Sequence, residues 1–213
     1  MKQVIFALWI VLLSTGMSSA ELSVDKLLKN HQEAAAKLDD VKAKAALSLQ
    51  VSVGIIPYSE KLSGRYYYLK PDRHRLEFDD APSYFDKAPS LFQWDLPARD
   101  KYRLKVKGPI KNGSGQVYQL LYLSKNADSS TQSVLCSFDS KTWRLLKQQT
   151  SYRDGGSVAL AFQYLTDSAL PVLDKVTADV KIPSYSLTGA ATISFSDQKY
   201  NEGLDEGIFP AED

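Results

Sequence analysis

The sequence predicts an α+β protein, mostly antiparallel β, in which one large curved sheet lies against a single amphipathic helix. Three observations carry that prediction. Apolar residues recur at three- and four-residue steps only once, directly after an N-terminal leader. From Leu47 onward the period is two, in about ten short segments separated mostly by turn residues. The chain has 12 Tyr and 8 Phe against 2 Met, and aromatic residues suit a pleated, half-buried surface.

The chain opens with an export signal: basic Met1-Lys2, an apolar run from Val4 to Leu13, and small residues at Ser18-Ser19-Ala20. The run is about half of the ~20 residues a spanning helix needs. Residues 1–20 are therefore expected to be cleaved, leaving one domain over 21–213. Cleavage removes Lys2 and no acid, so basic and acidic residues become equal in number. That balance offers nothing to nucleic acid, which needs a basic excess to release counterions. The single Cys136 excludes an internal disulfide framework and a multi-cysteine zinc site. It also does not follow the cleavage point, so no lipid anchor is expected there. These readings make the mature chain an exported, soluble protein.

The helix is expected first. Val24, Leu27, Leu28, His31, Ala34, Ala35, Leu38, Val41 and Ala45 share one face over about six turns. Ser23 is its N-cap, and Asp25 lies favourably in the first turn. Leu47 to Ile55 alternates as the first strand, with Pro57 ending it. Leu62 to Lys70 is the second, stopped by Pro71-Asp72, and Arg73 to Phe78 the third. From 79 to 98 the pattern fails among Pro82, Pro89 and Pro97. Tyr84, Phe85, Leu91, Phe92 and Trp94 make this stretch apolar, as expected of a lid or cap. Strands resume at Tyr102–Lys107, Val117–Leu123, Val134–Phe138, Trp143–Tyr152, Val158–Tyr164, Val176–Ile182 and Ala191–Phe195. Asn112-Gly113, Asp139-Ser140-Lys141-Thr142 and Asp154-Gly155 are the turns between them. Ten strands in one sheet curl or close, and the helix can fill the concave side.

Four stretches, in this order, resemble the LolA-like family of outer-membrane lipoprotein-sorting proteins. They are the leader, helix and alternating strand; the hairpin from Gly64 through Lys70-Pro71-Asp72 to Phe78; the hairpin Phe138-Asp139-Ser140-Lys141-Thr142-Trp143-Arg144-Leu145-Leu146; and the closing strand from Thr192 followed by Asn201, Leu204, Asp205 and Phe209. The resemblance implies an incomplete, open β-barrel wrapped on the helix and a lid segment. It also implies an apolar cavity for acyl chains of lipoproteins or lipids, with an inner-membrane transporter and an outer-membrane acceptor as partners. Together with the export signal, the resemblance makes the expected compartment a bacterial periplasm and the expected state a monomer.

The residues themselves are compatible with that chemistry. A buried CH₂ contributes roughly 0.8 kcal/mol, so an apolar lining needs no special group. Val51, Val53, Tyr66, Tyr68, Leu76, Phe78, Leu121 and Phe162 are the cavity candidates, on strands expected to face one another. Their parity depends on register, since a one-residue slip reverses every side chain. Lys70, Arg73 and Arg75 are candidates to meet a phosphate or lipid head group at the cavity mouth. No catalytic, metal or cofactor site is expected. The chain has only His31 and His74, the first read as a core residue and the second as exposed beside its turn. It carries no nucleophile elbow, P-loop, HExxH or dinucleotide fingerprint. Cys136 alternates with Val134 and Phe138 and reads as buried rather than nucleophilic. The expected role is thus a non-enzymatic periplasmic carrier or chaperone for acyl chains. An envelope-stress sensor of the same fold, or an accessory protein for export of another lipid, is the alternative. A structural or protein-interaction β domain with a filled core is the alternative of a different class.

Overall fold

Ser23 starts the first element by accepting a hydrogen bond from the Lys26 amide, with Asp25 in the first turn. The helix that follows, α1 (Val24–Ala35), buries Leu27 and Leu28. The computed structural model describes residues 22–71, 73–80, 95–113 and 115–209. The expected export signal and the core of the expected lid lie outside them.

The helix is half the length the sequence predicts. Leu38, Val41 and Ala45 do not extend it; β1 (Asp40–Val53) begins instead. The reason is arithmetic. Val41 and Ala45 are four apart, a spacing that a helix face and a strand face both accept. Ala43, Ala45 and Leu47 complete the alternating set, and all are buried.

Pro57 also does not end the first strand. The chain turns earlier, at Gly54-Ile55, where Gly54 has φ +60°, and Pro57 lies near the start of β2 (Ile56–Leu69). The third strand, β3 (Arg73–Phe78), has the expected bounds. Gly64 permits its close approach, because a Cβ there would lie 1.9 Å from the Glu77 carbonyl oxygen.

The remaining strands are β4 (Tyr102–Asn112), β5 (Gly115–Ser124), β6 (Thr131–Asp139), β7 (Leu145–Tyr152), β8 (Ser157–Tyr164), β9 (Leu173–Ile182) and β10 (Leu187–Tyr200). All ten form one antiparallel sheet in the order β3-β2-β1-β10-β9-β8-β7-β6-β5-β4. Every neighbour is a sequence neighbour except β1 and β10, which pair along nearly their whole length. β3 and β4 are the two edges, so the sheet is open.

One face of the sheet holds the core. Its inward rows include Leu120, Tyr122, Val134, Cys136, Phe138, Leu160, Phe162, Val176, Ile193 and Phe195, with α1 packed on them. His31 of α1 meets the edge of Phe138 at 5.0 Å between ring centres. No helix among the described residues is long and apolar enough to cross a membrane.

The chain's last described segment packs on the outer face. Asp40 is buried, and its carboxylate accepts from the Glu202 and Gly203 amides. Asn201, at φ +56°, uses its side-chain oxygen to accept from the Asp39 amide. Asp205 caps a short turn by accepting from Gly207, and Phe209 is buried under the Arg73 guanidinium.

Candidate functional site

A cavity of about 350 Å³ opens between the C-terminal half of α1 and the inner face of the sheet. That is within the ~300–1,000 Å³ range of small-molecule sites. Two groups of strands wall it. Val41 of β1 with Tyr66 and Tyr68 of β2 form one wall, and Leu145, Phe162, Tyr164 and Leu173 of β7, β8 and β9 form the other. His31, Ala34, Ala35 and Leu38 close the top. Alternation puts these side chains together: Tyr66 and Tyr68 are two apart, as are Phe162 and Tyr164.

Most of the lining is apolar, but its polar groups are arranged with care. The Tyr66 hydroxyl and His74 Nδ1 are 2.9 Å apart. His74 Nε2 lies 3.9 Å from an Asp95 oxygen. Burial holds His74 down at about 4, so the ring is neutral at pH 7, and Tyr66 can donate to Nδ1 while Nε2 carries the proton. Burial likewise pushes the Tyr66 phenol well up. His31 donates from Nδ1 to the Trp143 carbonyl at 2.9 Å, and burial lowers its pKa against that bond. The Tyr164 hydroxyl donates to the Leu145 carbonyl at 2.8 Å.

The turn between β6 and β7 places the remaining polar group. Asp139 accepts from the Lys141 and Thr142 amides and from the Thr142 hydroxyl. Trp143 then adopts φ +59° and stacks on Tyr118 at 5.5 Å. That geometry sends Arg144 to the cavity rim, where its Cζ lies 5.3 Å from the centre of the Tyr164 ring. One terminal nitrogen of Arg144 reaches the carbonyls of Ser168, Ala169 and Leu170 at 2.9–3.1 Å.

Of the cavity candidates read from sequence, Tyr66, Tyr68 and Phe162 line this space. Leu76 and Phe78 share the inner face and pack on the core, outside the lining. Val51 is half-buried toward the far end of β1, and Val53, at the tip, is 51% exposed. Leu121 is on the outer face: Leu120 and Tyr122 take the inward positions, so the parity of β5 is the reverse of the expected one.

The expected head-group cluster is split. Alternation in β3 sends Arg73 and Arg75 outward and His74 inward. Arg73 covers Phe209 and lies 3.7 Å from Glu206; Arg75 bonds the Ile208 carbonyl and pairs with Glu77 at 2.6 Å. Both therefore hold the last segment rather than the cavity mouth. Lys70 pairs with Asp39 at 2.6 Å. His74, expected to be exposed, is only 26% so, for the same reason of alternation. Tyr164 and Arg144 were within reach of the sequence: Tyr164 is two residues from Phe162, and Arg144 ends the Asp139 turn motif. The chemistry of Arg144 gave no signal, because a turn arginine usually faces solvent.

No protein-family model and no curated protein matches the sequence. The fold does have solved counterparts. A LolA superfamily protein from Nitrosomonas europaea superposes with a TM-score of 0.55 at 11% identity, covering 88% of this chain and 97% of that one. An outer membrane lipoprotein-sorting protein domain from Vibrio parahaemolyticus gives 0.56 at 15%, covering 87% and 96%. A DUF1329 family protein from Desulfovibrio piger gives 0.52 at 13%, covering 85% and 96%. The open ten-stranded sheet wrapped on its N-terminal helix is a LolA-like fold.

Proposed function

We propose that this protein is an exported, non-enzymatic carrier that holds an acyl chain of a lipoprotein or lipid between α1 and the sheet. The observation that carries the reading is the cavity itself, an aromatic and aliphatic space kept open in a sheet whose edges never meet. Its energetics are those of transfer from water, roughly 0.8 kcal/mol for each CH₂ buried. The likeness to a lipoprotein-sorting domain supports the same use. The leader at residues 1–20 delivers the chain to the periplasm, and cargo then moves toward the outer membrane. Reactive chemistry has little support. The Cys136 thiol is fully buried and pushed up to about 12 by that burial, which keeps it protonated.

Native mass spectrometry of the protein purified from its host tests the proposal. Adducts of lipid mass are expected, together with uptake of a fluorescent fatty acid by the stripped protein. A clean mass with no uptake would sink the carrier reading and favour a domain with a filled core. Crosslinking in cells then separates a shuttle from a sensor: the shuttle is recovered with membrane transport components, the sensor with a regulatory protein.

A further inference from the structure

A second cavity of about 340 Å³ adjoins the first. It lies between the outer side of α1 and the turn from β6 to β7. Ala34, Arg144 and Pro171 line both spaces, so the two are neighbours across the Arg144 side chain. Their characters differ. The first is mainly hydrocarbon and aromatic ring. The second is walled by Asn30, Glu33, Lys37, Lys141 and Thr142, together with Arg144.

The charge there is unbalanced. Lys37, Lys141 and Arg144 bring three cations to one small space. Among the described residues, none of the three has a carboxylate within 4 Å. Two acids are close by and both are engaged. Glu33 pairs along the helix with Lys29 at 3.8 Å. Asp139 accepts the Lys141 and Thr142 bonds that build the turn and offsets part of the Lys141 charge, which leaves the excess with Lys37 and Arg144. The known bonds of Arg144 go to neutral carbonyls, which leave its charge uncompensated.

We propose that the two cavities form one amphiphile site, in which the acyl chain enters the space under α1 and an anionic head group rests on Lys37, Lys141 and Arg144. This deepens the carrier reading and rests on it, by naming the ligand as a single-chain carboxylate or phosphate amphiphile. Arg144 stands at the junction: it lines both spaces, its guanidinium carbon lies 5.3 Å from the centre of the Tyr164 ring, and one terminal nitrogen is held by the carbonyls of residues 168–170. Charge-assisted hydrogen bonds to an oxyanion are stronger than neutral ones. The volume of the first space, near the low end for ligand sites, suits one chain rather than several.

The test uses the stripped protein and three probes with one twelve-carbon chain: dodecanoate, dodecyl phosphate and dodecanol, titrated below micelle formation at pH 7.5 by calorimetry. Both anions are expected to bind about tenfold more tightly than the alcohol. The better of the two anions tells a fatty acid from a phospholipid-derived source. The Lys37→Gln/Lys141→Gln variant removes exposed side chains only. It is expected to lose that preference while binding dodecanol as before, and Arg144→Lys, retaining charge without the fork, is expected to lose part of it. Equal affinity of all three probes, or an anion preference that survives in the double lysine variant, overturns the head-group site and leaves the carrier reading standing. Absence of binding by every probe overturns both.

Discussion

His74 is the residue whose placement has the clearest measurable consequence. Burial holds it at about 4 in the fold, against the ordinary value of 6.5 in an open chain. Between those values the unfolded state takes up a proton that the fold refuses. The stability it contributes is complete above pH 6.5 and drains away as pH falls through 4, by roughly 3 kcal/mol. His31, also lowered by burial, works in the same direction. Thermal melts from pH 7 to 4 are therefore expected to fall steeply, and His74→Gln to flatten the slope; an unchanged slope in the variant would refute the assignment. Cys136 gives a second test at this scale. With its thiol buried and pushed up to about 12, it is expected to ignore a disulfide reagent at pH 8 until urea unfolds the chain. Fast labelling of the folded protein would show an open route to β6.

At the scale of elements, what the sequence revealed depended on how far apart two templates lie. β3 was legible to its last residue, because Arg-His-Arg-Leu-Glu-Phe alternates without interruption between two turns. The end of α1 was not, since Val41 and Ala45 satisfy helix and strand alike. Leu121 was misplaced because β5 is apolar on both faces, and nothing local then chooses the inner one; pairing with β6 does. Arg73 and Arg75 were misread for a different reason: alternation gave their face, but only the fold shows that the chain's last segment covers it. That segment is held to the sheet by side chains of β1 and β3, and Asp40 is its anchor at the start. Asp40→Ala leaves the Glu202 and Gly203 amides unpartnered and is expected to cost about 2 kcal/mol. Limited proteolysis after Tyr200 should speed up in this variant while the sheet stays protected. On the opposite face, Leu27 is fully buried, and Leu27→Ala is expected to cost about 2–5 kcal/mol in urea unfolding. A cost below 1 kcal/mol would mean that α1 rests loosely on the sheet.

For the whole molecule, the carrier proposal ties ligand binding to stability. A ligand that binds only the folded state raises its stability by about 2.7 kcal/mol at a hundred times its dissociation constant. The melting temperature of the stripped protein is thus expected to rise with dodecanoate and to stay level in a Phe162→Asp variant whose far-UV spectrum is unchanged. The order of the strands has a consequence of another kind. Among the described strands, β1, the first in sequence, finds its second neighbour only in β10, the tenth. The pairing of Leu47 with Ile193 closes a loop of well over a hundred residues, and such closure is slow because its entropy must be met before the ladder rewards it. Until β10 docks, the inner half of the sheet stops at an unpaired strand. The slowest step in refolding the described sheet is therefore expected to be the docking of β10 on β1, the one join that no short turn holds in place.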